Sequence, residues 1–142
     1  MNALLLAADV ENLAVPEVGW AAIAPLLVMI GGALTLTIGG SLLRGPKAQR
    51  FYGPFAALVA VVAGLAAIPQ WHKVQDEGAF VTLAGAVGID GFSLFAIFVI
   101  AAGTALSCLF LDGYLHREQL DGVEAYVLVL LSATGGQARV RV

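Results

Sequence analysis

Proton transfer, metal binding and nucleophilic catalysis all need ionisable side chains in defined company. In this sequence such side chains keep to the edges of the apolar blocks. Two acids come closest to being exceptions: Asp112 closes the run Gly91–Leu111, and Glu124 opens the run that starts at Val123. An ionisable group inside a membrane span is a functional candidate by default, because burying it there is expensive. Asp112 and Glu124 lie at the rims, within reach of headgroup water, so both read as solvated interfacial acids. A place where protons enter is the sharper alternative for either. His72 and His116 fall in polar stretches without a Cys, His or Asp cluster beside them, so no metal site is expected. Cys108 lies inside an apolar run and reads as a small core residue; as the one cysteine, it excludes a disulfide framework. The glycine pairs 31–32 and 39–40 sit within an apolar run and not after a strand, which excludes a phosphate loop. No Ser/His/Asp or paired-carboxylate arrangement is visible. No catalytic, cofactor-binding or metal-ligating residue is therefore expected in this chain.

The composition explains this scarcity. Of 142 residues, 60% are hydrophobic and 12% charged, with a mean hydropathy of +0.91. Soluble domains are about 45–50% apolar and about 25% charged. The balance excludes a soluble enzyme and a disordered tail. A formal charge of −3 leaves no basic face for nucleic acid. The reading is an all-α integral membrane protein of one domain, residues 1–142.

A helix needs about 20 apolar residues to cross about 30 Å of hydrocarbon. Three blocks meet this: about 20–43, 51–69 and 91–111. Pro25 would kink a helix begun at Trp20 but suits one begun near Ala24. A fourth block, 123–136, is about 21 Å long as a helix, so a partial span is expected. Residues 137–142 read as an irregular tail. Trp20, Phe51, Tyr52, Trp71, Tyr114 and Tyr126 fall near span ends, as interfacial aromatics would. Met1–Ala8 lacks a basic start and runs into Asp9 and Glu11, which argues against a signal peptide. The 70–90 connection opens polar and continues with Phe80, Val81 and Thr82, predicting a short β-hairpin. Asp90 or Ser93 would cap the next helix. Basic residues give the orientation: Arg44, Lys47, Arg50 and Arg117 fall in two loops on one side, and Lys73 alone in the 70–90 loop on the other. The N-terminus is expected outside.

Helices in lipid associate by close backbone approach, which small residues permit. Candidate packing stripes are Gly31/Thr35/Gly39 and Ala33/Thr37/Ser41 in the first block, Ala56/Ala60/Gly64 in the second, and Gly103/Ser107 in the third. They point to packing within a bundle and not to a channel lining.

Several stretches resemble subunit N of the bacterial proton-pumping NADH:quinone oxidoreductase, respiratory complex I. They are APLLVMIGGALTLTIGGSLLR with the basic loop after it, GIDGFSLFAIFVI (Gly88–Ile100), and DGYLHREQLDGVEAYVLVLLSATGG (Asp112–Gly136). Asp90-Gly91-Phe92-Ser93 and Glu124-Ala125-Tyr126 carry the likeness most specifically, and together the stretches span about residues 20–136. The resemblance implies an antiporter-like fold of about fourteen transmembrane helices with inverted repeats. It places the pumping residues, a glutamate on the fifth helix and lysines further on, beyond this chain. Glu124 matches the start of the fourth helix, not the pumping glutamate. The redox cofactors would sit on other subunits. The partners would be other membrane subunits of complex I and the lipid bilayer, in the cell inner (plasma) membrane.

After Gly136 the family pattern continues apolar, whereas this sequence reads QARVRV. The expectation is a truncated or frame-shifted copy of the N-terminal part, with a deliberately shortened chain as the alternative. Other readings of the whole are a related sodium/proton antiporter-type subunit and a small membrane anchor or scaffold without a transport role.

Overall fold

The computed structural model describes residues 19–43, 45–82, 87–118, 120 and 122–141. The rejected signal peptide at Met1–Ala8, and Arg44 of the basic loop, lie outside the described residues. Five helices and two strands follow in order: α1 (Trp20–Leu42), α2 (Pro46–Leu65), α3 (Ile68–Glu77), β1 (Phe80–Thr82), β2 (Val87–Ile89), α4 (Gly91–Glu118) and α5 (Val123–Val140). Helices α1, α2, α4 and α5 form an up-down-up-down bundle, each packed on its two neighbours around the ring. Stretches starting at Trp20, Ala48 and Gly91 are long and apolar enough to cross a membrane; the second of these runs on through α3. The chain is a multi-pass membrane protein.

Only 33%, 44% and 28% of the three apolar windows is buried within the bundle. The remainder, including Leu34, Ile38, Leu58, Phe95 and Phe110, points outward. An apolar exterior is what hydrocarbon selects, so these helices are apolar all round and cannot be sided by amphipathicity. Small side chains mark the inner faces instead. Ala33, Ala56, Ala60 and Ala63 are buried around Met29, Leu36, Cys108 and Leu130. A Cβ on Gly32 would overlap the side chain of Val59, and one on Gly40 would come to 2.7 Å from Val123. The Ala56/Ala60/Gly64 stripe is therefore an inner face, and Cys108 is a core residue. Nothing lies within 4 Å of a Cβ placed on Gly31, Gly39 or Gly103, so the stripes through these glycines face outward. Four-residue spacing identifies a face but not the direction in which it points.

Helix ends differ from the sequence expectation in physically simple ways. Helix α2 starts at Pro46, not Phe51, since proline suits a first turn. It stops at Leu65 because Pro69 has no N–H to bond the Leu65 carbonyl. Residues 70–77, expected as part of the 70–90 loop, are helical and belong to α3. Helix α4 runs seven residues past Leu111 to Glu118, with His116 and Arg117 complementing the dipole of its last turn. The connection expected at 112–122 shrinks accordingly. The irregular tail expected over 137–142 is helical through Val140, because Gln137, Ala138 and Arg139 are good helix formers with no proline among them. At 18 residues, α5 is about 27 Å long, against the 14 residues expected. Among the aromatics, Trp20, Phe51 and Tyr114 are exposed near helix ends, whereas Tyr126 is only 3% exposed.

The expected hairpin is present. β1 and β2 pair antiparallel, Phe80 opposite Ile89 and Thr82 opposite Val87. Gly78, at φ +83°, turns the chain from α3 into β1. Hairpin and α3 cap one end of the bundle over Ala67, Ile89, Leu94 and Ile97, with Trp71 edge-on to Phe98 at 6.0 Å. Asp90 caps α4: its carboxylate accepts the Ser93 N–H at 2.7 Å and the Ser93 hydroxyl. Both bonds favour the anion, so the Asp90 carboxyl is held below its ordinary range, the hydroxyl bond contributing most.

Two outcomes follow. Gly32→Leu should destabilise the bundle by about 1–3 kcal/mol through overpacking, and Gly31→Leu by less than about 0.5 kcal/mol; unfolding by dodecyl sulfate titration measures both, and equal losses would contradict the packing. Since the folded Asp90 pKa is depressed, its contribution is full above the unfolded value of about 4 and is lost as pH falls through the folded value. Asp90→Asn keeps a capping side chain but not the charge. Unfolding midpoints of wild type should therefore drop more steeply than those of D90N below about pH 4; parallel profiles would refute the linkage.

Candidate polar sites at the two bundle ends

The extension of α4 decides what Asp112 can do. It places Asp112 on a helix, one turn before His116, whose Nδ1 lies 3.1 Å from the Asp112 carbonyl and 3.6 Å from its carboxylate. On α2, Gly53 faces this carboxylate, and a Cβ there would overlap it. The absent side chain lets Asp112 lie against the α2 backbone. From α5, the buried Tyr126 donates its hydroxyl to Asp112 Oδ1 at 3.0 Å. Asp112 thus joins three helices, and its side chain is 25% exposed. It is a hydrogen-bonded group shielded on three sides, not the loop acid that its sequence position suggested. Arg50, Tyr52, Leu115 and His116 complete the wall of a cavity of about 190 Å³ around it.

Glu124 is exposed and faces a larger cavity of about 620 Å³ between the ends of α1, α2 and α5. Thr37, Ser41 and Tyr52 line it with Val127 and Leu128. The two cavities share Gln49, Tyr52, Gly122 and Val123 as walls, so the structure brings the two candidate acids to one end of the bundle. His72 is exposed on α3 at the opposite end, well apart from His116. Among the described residues, no three His, Cys, Asp or Glu side chains gather as metal ligands.

Sequence reasoning did not find the second polar group, at the hairpin end. Pro25, six residues into α1, lacks the N–H that would bond the Ala21 carbonyl. Gln70 of α3 donates its Nε2 to that carbonyl, and Arg141 donates Nη1 to the neighbouring Ala22 carbonyl. Arg141 is 4% exposed, and Gln137, one turn before it, is fully buried. The Gln137 amide, Gln70 Oε1 and Arg141 Nε and Nη2 have no hydrogen-bond partner among the described residues. Pro25 inside the first apolar block was the available signal, since a helical proline leaves the carbonyl four residues earlier unbonded, but finding the partner of that carbonyl requires the fold.

Comparison with known proteins matches this chain to one group. It is 31% identical over 129 residues to NADH-quinone oxidoreductase subunit N 2 of Roseiflexus castenholzii, which covers 90% of the chain and 24% of that relative. It is 32% identical over 124 residues to subunit N 1 of Sorangium cellulosum, covering 80% and 24%. Subunit N of Gemmatimonas aurantiaca is 29% identical over 123 residues, covering 80% and 23%. The chain is similar to these subunit N proteins over most of its own length. It spans about a quarter of the length of the curated subunit N relatives it matches. No family model matches, and no solved structure does. The subunit N likeness extends over the bundle as a whole and is not confined to one polar group.

The Tyr126–Asp112 bond is open to a direct check. Tyr126→Phe should cost about 1 kcal/mol of bundle stability, as loss of one buried hydrogen bond does. In a double-mutant cycle with Asp112→Ala, a coupling of about 0.5 kcal/mol or more is expected. Additive losses would show that the two groups do not share a bond.

Proposed function

We propose that this chain is the N-terminal part of a subunit N, an antiporter-like membrane subunit of the bacterial proton-translocating NADH:quinone oxidoreductase. The enzyme would couple electron transfer from NADH to quinone with proton translocation. The observation that carries this reading is the 129-residue match covering 90% of the chain. Within the enzyme, the bundle supplies packing helices and part of a subunit interface. The apolar stretches Trp20–Leu42 and Gly91–Leu111 carry no charged side chain, which suits scaffolding and leaves proton movement to later helices. The chain itself would hold no redox cofactor; those would reside on other subunits. Its partners would be other membrane subunits of complex I and the surrounding lipid. As for Asp112 and Glu124, we assign them structural and interfacial work and not proton pumping.

The bacterial inner membrane is the location this function requires. We place the hairpin end outside and the Asp112–Glu124 end inside. In the segments flanking the three apolar runs, the basic count is four (Arg44, Lys47, Arg50, and Arg117 after the third run) against one (Lys73). Arg139 and Arg141 belong to the hairpin end and narrow the difference, but Arg141 is buried against α1 and not presented to a loop.

An affinity-tagged chain extracted from inner membranes in mild detergent should bring down complex I membrane subunits. Insertion without any such association would overturn the assignment. Reporters inserted beside Gly45 and Gly78 should read inside and outside respectively; the reverse pattern would invert the orientation.

A further inference from the structure

The polar group at the hairpin end holds a full charge without a counter-charge among the described residues. Arg141 is 4% exposed and donates Nη1 to the Ala22 carbonyl. Its Nε and Nη2 are buried and have no hydrogen-bond partner among the described residues. These two nitrogens form one edge of the guanidinium, and their parallel N–H bonds match the two oxygens of a carboxylate. The Gln137 amide, one turn earlier on α5, is fully buried and also unpartnered among the described residues. Gln70 Oε1 and Gln137 Oε1 are acceptors, so the group is mixed in polarity. What calls for an anion is Arg141 itself, since a guanidinium stays protonated. A buried charge without a partner is costly, and more so beside hydrocarbon.

Among the described residues, no Asp or Glu pairs with Arg141; the ion pairs there are Lys73–Glu77 and Asp112–His116. Asp90 shares a cavity of about 300 Å³ with Arg141, but its Oδ1 accepts both the N–H and the hydroxyl of Ser93. Residues 1–18 supply the complementary charge: they hold Asp9, Glu11 and Glu17 and no Lys or Arg. They lead into α1, whose first turn carries the carbonyl that Arg141 grips.

We propose that the open edge of Arg141 holds the carboxylate of Glu17. Glu17 is five positions before Ala22 in the sequence. Five residues span at most about 18 Å when fully extended, so the tether is short. Asp9 and Glu11 are separated from Ala22 by more than twice as many residues. The pair fastens the entry to α1 onto the end of α5, next to the bond that Arg141 makes to Ala22. An Arg141 neutralised in this way adds no net positive charge at the hairpin end, in keeping with the orientation proposed above.

The test uses the whole chain in detergent micelles, unfolded by dodecyl sulfate. Glu17→Gln and Arg141→Gln should each raise the unfolding constant, and the double variant should fall short of the product of the two effects by at least about fivefold. Asp9→Asn together with Glu11→Gln should show no such coupling to Arg141→Gln. A second measurement leaves α5 unchanged. In the chain labelled with nitrogen-15 arginine, one of the five arginine Nε–H signals should exchange slowly with water in wild type. Glu17→Gln should lower its protection by at least about tenfold. Independent effects of the two substitutions, or unchanged protection in Glu17→Gln, would overturn the proposal. Coupling of Arg141→Gln to Asp90→Asn, or to the Asp9 and Glu11 pair, in place of Glu17 would overturn it too, by assigning the edge to another acid. Both readouts concern pairing within this chain, so failure here leaves association with complex I subunits a separate question.

Discussion

Glycine at the helix crossings is the constraint on which the rest of this bundle depends. Lipid tails are as apolar as leucine, so burying leucine against leucine gains little; contact area from closely approaching backbones has to substitute. Each neighbouring pair in the ring has its glycine: Gly32 against Val59 between α1 and α2, Gly40 against Val123 between α1 and α5, Gly53 against Asp112 and Gly64 against Ala101 between α2 and α4, and Gly136 against Ile100 between α4 and α5. Dispersion falls off steeply with separation, so these contacts set how near the helices come and how completely Met29, Cys108 and Leu130 fill the centre. At Gly53 the same requirement shapes the polar end. A side chain at position 53 would overlap Asp112 where it lies between α2 and Tyr126.

How much of this was legible follows from what the solvent does to sequence patterns. The span number was legible because a bilayer has a fixed thickness, and a run either covers it or does not. The hairpin was legible from Phe80, Val81 and Thr82 ahead of Asp90. Which face of each helix points inward was mostly hidden. In water, polarity marks the outside; in lipid, Leu34 and Ile38 outside are as apolar as Met29 and Leu36 inside. Hence Gly31 and Gly32, adjacent in sequence, have opposite roles that only the packing separates. The similarity to subunit N was legible through the order of short motifs, Asp90-Gly91-Phe92-Ser93 before Glu124-Ala125-Tyr126, and not through chemistry at any residue.

The polar ends were harder for a different reason. By sequence, charged residues mark loops, yet Asp112–Glu118 and Gln137–Val140 are helical. Gln137–Arg139 are good helix formers, whereas Asp112 and Gly113 are poor ones; tertiary partners that a loop would lack support both segments, Tyr126 for Asp112 and the Ala22 carbonyl for Arg141 just past Val140. Of the candidate site, Asp112 and Glu124 were identifiable by type and position. Their connection through Tyr52 and Val123 was not, because those walls come from helices far apart in sequence. Helix α3 shows the same limit on a smaller scale. Its polar sequence reads as a surface loop, while Trp71 and Gln70 turn inward to Phe98 and to the carbonyl that Pro25 leaves open.

The bond from Arg141 to the Ala22 carbonyl joins residues 119 positions apart. It closes the ring of helices by fastening its last member to its first. During synthesis, α1 and α2 can pair as soon as both have left the insertion machinery, and α4 can then join α2. The other flank of α1, with Gly40 and the Ala21 and Ala22 carbonyls, has to wait in lipid until α5 arrives. The order of emergence therefore assigns α1 two separate docking events, the first local and early, the second remote and last.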